Sequence, residues 1–387
     1  MLPGLWWRWL RLALLLLAVL YIGATTARVV ARKYYVFLPG YVRWTLTPAA
    51  AGRGTTHLLV LLADHFEPNR QLATTTLWID RYRQMAVRHA DATGRRPQHT
   101  WFYPGEQYEP AILEALRQAV AEGLGEVEFH FHHDFDTADQ LRPRLQEALA
   151  RFGSFGFNRT ADGATHFAFV HGNFGLDNSN GPIYCGVSTE VAMLRELGGF
   201  ADFTFPSIYQ DSQPSTVNTI FAAKDDSRPK SYDRPLPLSA LRDGSADLMM
   251  LEGPLVFAPS LNPRRLFLEL DDGDIHPGMP ASPFRIPRWV RAGVHVPGRP
   301  EWLFIKLFAH GAGSPADIEA VTGPDFDRLL EALERDYNDG TRYVLHYITA
   351  REAYNIAMAA ADGKTGNPVD YLDYVIPPYL SSSAAYR

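Results

Sequence analysis

From His57 onward the chain alternates short apolar runs with helix-patterned runs, and several of the apolar runs end on residues that hold metals or move protons. Such alternation is how a parallel β/α architecture is written in sequence. Residues 57–63, 99–103, 126–132, 165–171, 201–205, 303–310 and 343–348 read as seven strands. Between them, Ile112, Leu113, Leu116, Ala119 and Val120 keep the spacing of one helix face after Pro110, and Gly123 ends it. Thr137-Ala-Asp-Gln140 and Thr349-Ala-Arg-Glu352 fit capping boxes, and Phe326, Leu329, Leu330, Leu333 and Tyr337 mark a further helix face.

Seven parallel strands with helices outside them predict a (β/α)7 barrel, α/β in class, with its reactive groups at the carboxyl ends of the strands. The polar residues follow that rule: Asp64-His65 end the first strand, Glu106 follows the second, and His132-His133-Asp134 end the third. His171 and Asn173 end the fourth and His310 the sixth. Side-chain alternation puts Glu128, His130 and His132 on the barrel-facing side of the third strand and Lys306 and His310 on one face of the sixth. His130 and His132 together, in line with Glu128 and Asp134, read as metal ligands, whereas His346 reads as structural. Residues 207–300 form an insertion between strands five and six, expected to cover one rim of the mouth.

The N-terminus carries Trp6, Trp7, Trp9, Arg8 and Arg11 ahead of an uncharged run from Leu12 to Ala27, which reads as one transmembrane helix. A cleaved signal peptide is the alternative, disfavoured by the lack of a small-x-small cleavage site. The expected layout is a membrane anchor and juxtamembrane segment over 1–45, the barrel over 46–375 and a flexible tail over 376–387. A net charge of -6, with no basic, aromatic-interleaved stretch beyond the first fifty residues, argues against nucleic acid as a partner. The single cysteine, Cys185, excludes an intrachain disulfide framework and Cys-rich zinc modules, so the metal is expected on His, Asp or Glu.

Taken in order, Leu62-Ala-Asp-His65, His130-Phe-His-His-Asp134 and Phe308-Ala-His-Gly311 resemble the motifs of the polysaccharide deacetylases of carbohydrate esterase family four, within the wider glycoside hydrolase/deacetylase superfamily. The resemblance covers about residues 57–362. It implies a divalent metal ion, zinc or a similar cation, at the barrel mouth. Asp64 falls on the base position and His65 on the ligand position, and His130 matches the first of two histidine ligands. Asp134 occupies the place of the second, so His132 or Asp134 completes the site. His310 corresponds to the general acid. The family's Arg-Pro-Pro-Tyr-type motif has no counterpart, since Val170-His-Gly-Asn173 stands there.

The expected metal ligands are therefore Asp64, His65, His130 and His132, and the expected catalytic groups Asp64 and His310, with Glu67 as an alternative base. Glu106, His171, Asn173 and Lys306 are expected to bind substrate. Aromatic residues on the rim segments, among them Trp101, Tyr103, Tyr108, Phe174, Tyr184 and Tyr209, suit a polysaccharide or oligosaccharide. Three functions compete. The first is a single-pass membrane hydrolase with an extracytoplasmic body that removes N- or O-acetyl groups by metal-activated water. The second is a glycosidase of the same superfamily with Asp134 or Asp177 as nucleophile. The third is a non-catalytic glycan-binding component of a polysaccharide-export assembly.

Overall fold

A computed structural model describes residues 3–47, 54–260 and 266–382. Parts of the expected anchor, barrel, insertion and tail (1–2, 48–53, 261–265 and 383–387) lie outside the described residues. The strands are β1 (Thr56–His65), β2 (His99–Pro104), β3 (Gly125–Phe131), β4 (Phe167–His171), β5 (Gly199–Asp202), β6 (Thr219–Ala223), β7 (Leu248–Glu252), β8 (Val256–Pro259), β9 (Leu268–Asp271), β10 (Trp302–Ala309) and β11 (Tyr343–Tyr347). The α-helices are α1 (Pro3–Ala31), α2 (Leu38–Leu46), α3 (Leu72–Ala86), α4 (Pro110–Ala121), α5 (Ala138–Gly153), α6 (Glu190–Glu196), α7 (Ser239–Arg242), α8 (Ile286–Ala292), α9 (Pro315–Thr322), α10 (Pro324–Asp336) and α11 (Ala350–Ala361). Both capping boxes form, at Thr137 and at Thr349.

Each of the seven runs read as strands becomes one, and they join a mostly parallel sheet ordered β10-β1-β2-β3-β4-β5-β7-β6. Among the described residues no ladder joins β6 or β7 back to β10. The free edge of β10 is met instead by loop backbone: Phe304 N–H donates to Val294 O at 2.8 Å, and Asp274 forms a parallel bridge with Phe308. The fold is thus a mixed α/β structure with one dominant, nearly all-parallel sheet.

Three placements differ from the sequence expectation. The insertion is not only a rim cover, because β7 pairs parallel with β5 and β6 antiparallel with β7 inside the main sheet. Only β8 and β9 form a separate hairpin. Second, β11 takes the same edge of β1 as β2 does. β1 is ten residues long, β2 covers only Leu62–His65, and β11 fills the open stretch from Thr56 to Val60. Third, the segment expected to be a flexible tail from 376 is tied down as far as Ser382. Leu380 N–H donates to Arg159 O (2.7 Å), Ser381 N–H to Gly156 O (2.9 Å) and the Tyr379 hydroxyl to Glu128 Oε1 (2.9 Å).

Strand alternation sorts the core into two faces. Leu58, Val60, Leu62, Val127 and Phe129 pack with α3, α4, α5, α9 and α10, a layer centred on Trp78, Tyr82 and Trp101. Leu59, Leu61, Ala63, Phe102, Ala168 and Val170 face the other way and pack with α11. Every residue of α11 from Ala350 to Ala360 is buried, so this last helix sits against the inner face of the sheet rather than in the outer layer.

Candidate metal centres

The carboxyl ends of β1, β3 and β10 bring four imidazoles into a row. Ring centres lie 4.5 Å apart for His310 and His65, 5.1 Å for His65 and His130, and 4.6 Å for His130 and His132. Phe174 stacks on His65 at 5.2 Å and closes one side. Glu67, three residues past Asp64, turns its carboxylate into the row: Oε1 lies 3.1 Å from His130 Nε2 and 3.7 Å from His132 Nε2. His65, Glu67 and His130 offer donor atoms that all lie within 4.8 Å of one another, a grouping able to hold a metal ion.

The tautomers suit that use. His130 Nδ1 lies 3.0 Å from the carbonyl oxygen of Val170, which can only accept, so Nδ1 carries a hydrogen and Nε2 is the ring atom turned toward Glu67. Nitrogen and carboxylate oxygen at 3.1 Å call for a positive charge between them, supplied by a shared proton or by a metal ion. His65 Nδ1 is a buried nitrogen without a hydrogen-bond partner. Burial, with the charges of His310, His130, Lys306 and His132 behind it, holds the His65 pKa well below the usual histidine value. Glu67 is depressed: burial opposes ionisation, but its hydrogen bond to His130 and the surrounding imidazoles outweigh it. A neutral imidazole and an ionised carboxylate are the forms that bind a metal. Two histidines and one glutamate are also a ligand set used by hydrolytic zinc, which keeps a position open for water.

His132 sits beside this triad. Its Nδ1 is 2.6 Å from Glu106 Oε1, and burial, which lowers its pKa, is outweighed by Glu106 and then Glu67, so the pKa is raised. His310 is partly exposed, with its pKa lowered first by burial. Asp64, although adjacent to His65, points to the opposite face of β1, as alternation requires. There Oδ1 accepts the Gly311 N–H at 2.6 Å and Oδ2 pairs with His99 Nε2 at 3.1 Å. Its carboxylate is not in the imidazole row. Asp134 is exposed, and Asp177 is buried, accepting the backbone N–H and hydroxyl of Ser231 at 2.7 and 2.5 Å.

The remaining expected site residues are placed elsewhere. Glu106 holds His132. Lys306 is fully buried, and Nζ donates to the carbonyl oxygens of Phe203 (3.0 Å) and Phe205, with burial lowering its pKa to about 8 against the nearby Glu252, Asp202 and Asp272. Its ammonium is therefore engaged inside the sheet. His346 stacks on His57 with Nε2 2.9 Å from His57 Nδ1. Asn173 donates Nδ2–H to the His133 carbonyl at 2.9 Å, and His171 joins His133, Cys185 and Glu190 in a second, wholly buried grouping able to hold a metal. The sequence reading did not connect these four, because their spacing follows no local pattern. Among known proteins, the chain matches no family model, no curated sequence and no solved structure.

Proposed function

We propose that this chain is a membrane-anchored, metal-dependent hydrolase that removes N- or O-acetyl groups from a polysaccharide, on a (β/α)7 barrel of the deacetylase type. The supporting observation is the convergence of His65, Glu67 and His130 from two strand ends into one metal-competent triad, with proton-transfer groups at both ends of the imidazole row. A divalent cation held by that triad would acidify a bound water and polarise an acyl oxygen. His310 takes the proton from the attacking water and returns it to the leaving amine or alcohol. His132, oriented by Glu106, stands at the far end of the row to donate to the acyl oxygen as charge develops there. Phe174 walls the site and offers a ring for a sugar face.

The membrane part of this reading rests on α1, whose Trp6–Ala31 stretch is long and apolar enough to cross a bilayer, a property a signal sequence shares. In this reading the body lies on the extracytoplasmic side, where cell-envelope polysaccharide is found. The test uses the full chain solubilised in detergent. Acetate release from N-acetylated and O-acetylated oligosaccharides is expected to stop on chelation and to return with zinc. His130→Ala is expected to lose the triad's ion and the activity together. Reducing-end release without acetate would replace this reading with glycosidase action. Tight glycan binding with neither product would replace it with a binding role in a polysaccharide assembly.

A further inference from the structure

His133 leaves the end of β3, His171 ends β4, Cys185 lies in the 172–189 loop and Glu190 opens α6. Their side chains meet where none is more than 3% exposed. His133 Nε2 lies 3.0 Å from both His171 Nε2 and Glu190 Oε1, and the last two are 3.8 Å apart. Cys185 Sγ is 3.4 Å from the other glutamate oxygen, and one donor atom from each of the four lies within 4.8 Å of every other. Ligand atoms on a tetrahedral zinc with bonds of about 2.0 Å stand roughly 3.3 Å apart, and the separations among His133, His171 and Glu190 Oε1 bracket that value.

Hydrogen bonding alone does not satisfy the cluster. The N–H groups of Asn173 (3.2 Å) and Gly175 (3.3 Å) point at His171 Nδ1, which places that ring's hydrogen on Nε2, facing His133. If His133 Nε2 also carries a hydrogen, two N–H groups collide. If it does not, its lone pair faces the Glu190 carboxylate. Protonating Glu190 only adds a second donor for the same lone pair. One buried contact is left unfavourable in each state, a cost proteins avoid.

The surroundings are those of a ligand shell. Cys185 Sγ accepts the backbone N–H groups of Asn178 (3.2 Å) and Val187 (3.3 Å), donors that stabilise a thiolate. Asp136 Oδ2 stands 3.4 Å from His133 Nδ1 but outside hydrogen-bond geometry, so that buried nitrogen is without a hydrogen-bond partner. With a thiolate, a carboxylate and two neutral imidazoles, the four ligands carry two negative charges. They leave a divalent cation neutralised in a place where an unbalanced charge is costly.

We propose that His133, His171, Cys185 and Glu190 hold a divalent cation of the zinc class in a closed, structural site, separate from the open His65 triad. On loading, the cation replaces the thiol proton of Cys185, which leaves to solvent. The His171 hydrogen moves from Nε2 to Nδ1, so the amides of Asn173 and Gly175 turn from it and the 172–175 backbone shifts. The ion staples an irregular loop to β3, β4 and α6. Through Phe174 it fixes the wall over His65.

Cys185 is the only cysteine in the chain, so a sulfur-to-metal signal reports this site alone. The experiment replaces zinc with cobalt(II) in the detergent-solubilised full chain and records near-ultraviolet absorption. A thiolate-to-cobalt charge-transfer band is expected in the wild type. The same band is expected in His65→Ala, which empties only the open triad, so failure of the hydrolase reading leaves this result standing. The band is expected to vanish in Cys185→Ser. Cobalt bound to the wild type without the band overturns the proposal whether or not Cys185→Ser folds, as does zinc content unchanged in a folded Cys185→Ser protein.

Discussion

Two side chains that follow one another in sequence, Asp64 and His65, end on opposite faces of β1, and their substitutions are expected to fail differently. Asp64→Ala orphans the buried Gly311 N–H and His99 Nε2, at about 1–3 kcal/mol for each unsatisfied group. It is expected to lower the melting temperature of the full chain while the His65 triad keeps its metal. Loss of metal with unchanged stability would return Asp64 to the ligand set. Gly172 makes a second residue-scale case. A Cβ there would stand 2.3 Å from the His132 ring. Gly172→Ala is expected to displace His132 from Glu106 and cut acetate release by about 10²–10³-fold, the range for loss of one donor to a developing oxyanion, with the triad's metal content unchanged. Equal rates in both proteins would show that His132 takes no part.

Elements were legible where the signal is local. Runs such as Leu58–Ala63 and Val127–Phe131 announce buried strands by apolar content and length, and the Thr137 and Thr349 boxes announce helix starts. β6 and β7 were hidden because Thr219–Ala223 and Leu248–Glu252 are five-residue runs inside a Pro- and Asp-rich stretch, and their pairing is decided by β5 far away. The open triad was partly visible, since His65 and His130 end strands, but Glu67 reads in sequence only as an alternative base, because it lies in the loop beyond β1 and turns toward the imidazoles only in three dimensions. Cys185 and Glu190 carry no spacing that links them to His133. A contact between elements gives a pH test. His89, just past α3, is buried and pairs with Glu334 (3.1 Å) and Asp327 (2.9 Å) of α10. Burial lowers its pKa, but those two hydrogen bonds and charges outweigh it and the pKa is raised. A raised folded-state pKa contributes stability fully below the unfolded value of about 6.5 and loses it as pH rises through the folded value. His89→Gln should therefore lower the melting temperature more at about pH 5.5 than at about pH 8.5, and an equal deficit at both would exclude the linkage.

The whole molecule is organised by how α1 meets the body. In the last turn of α1, Arg28 donates to the Leu268 carbonyl (3.0 Å), and past the helix Tyr34 and Phe37 insert among Val217, Leu255 and Leu270. Tyr41 then accepts the Phe257 N–H on its hydroxyl (2.9 Å) and packs on that ring at 5.0 Å. The exposed Lys33–Asp211 pair adds little, since surface ion pairs contribute about 0–1 kcal/mol. Apolar docking of 34–46 onto the insertion is what fixes the helix, so the insertion serves the N-terminal helix as well as the sheet. A chain cut at residue 46 would expose Val217, Leu255 and Leu270 together, a patch that favours aggregation. Phe37, fully buried at 0% exposure, is the test. Phe37→Ala is expected to cost about 3–5 kcal/mol of docking, read as faster proteolysis between α1 and β1 in detergent. Metal content and acetate release should stay at wild-type levels, because both candidate metal centres lie at the carboxyl edge of the sheet and none of their residues belongs to the Phe37 cluster. Protection equal to wild type would mean that the N-terminal helix is held by something other than this apolar seat.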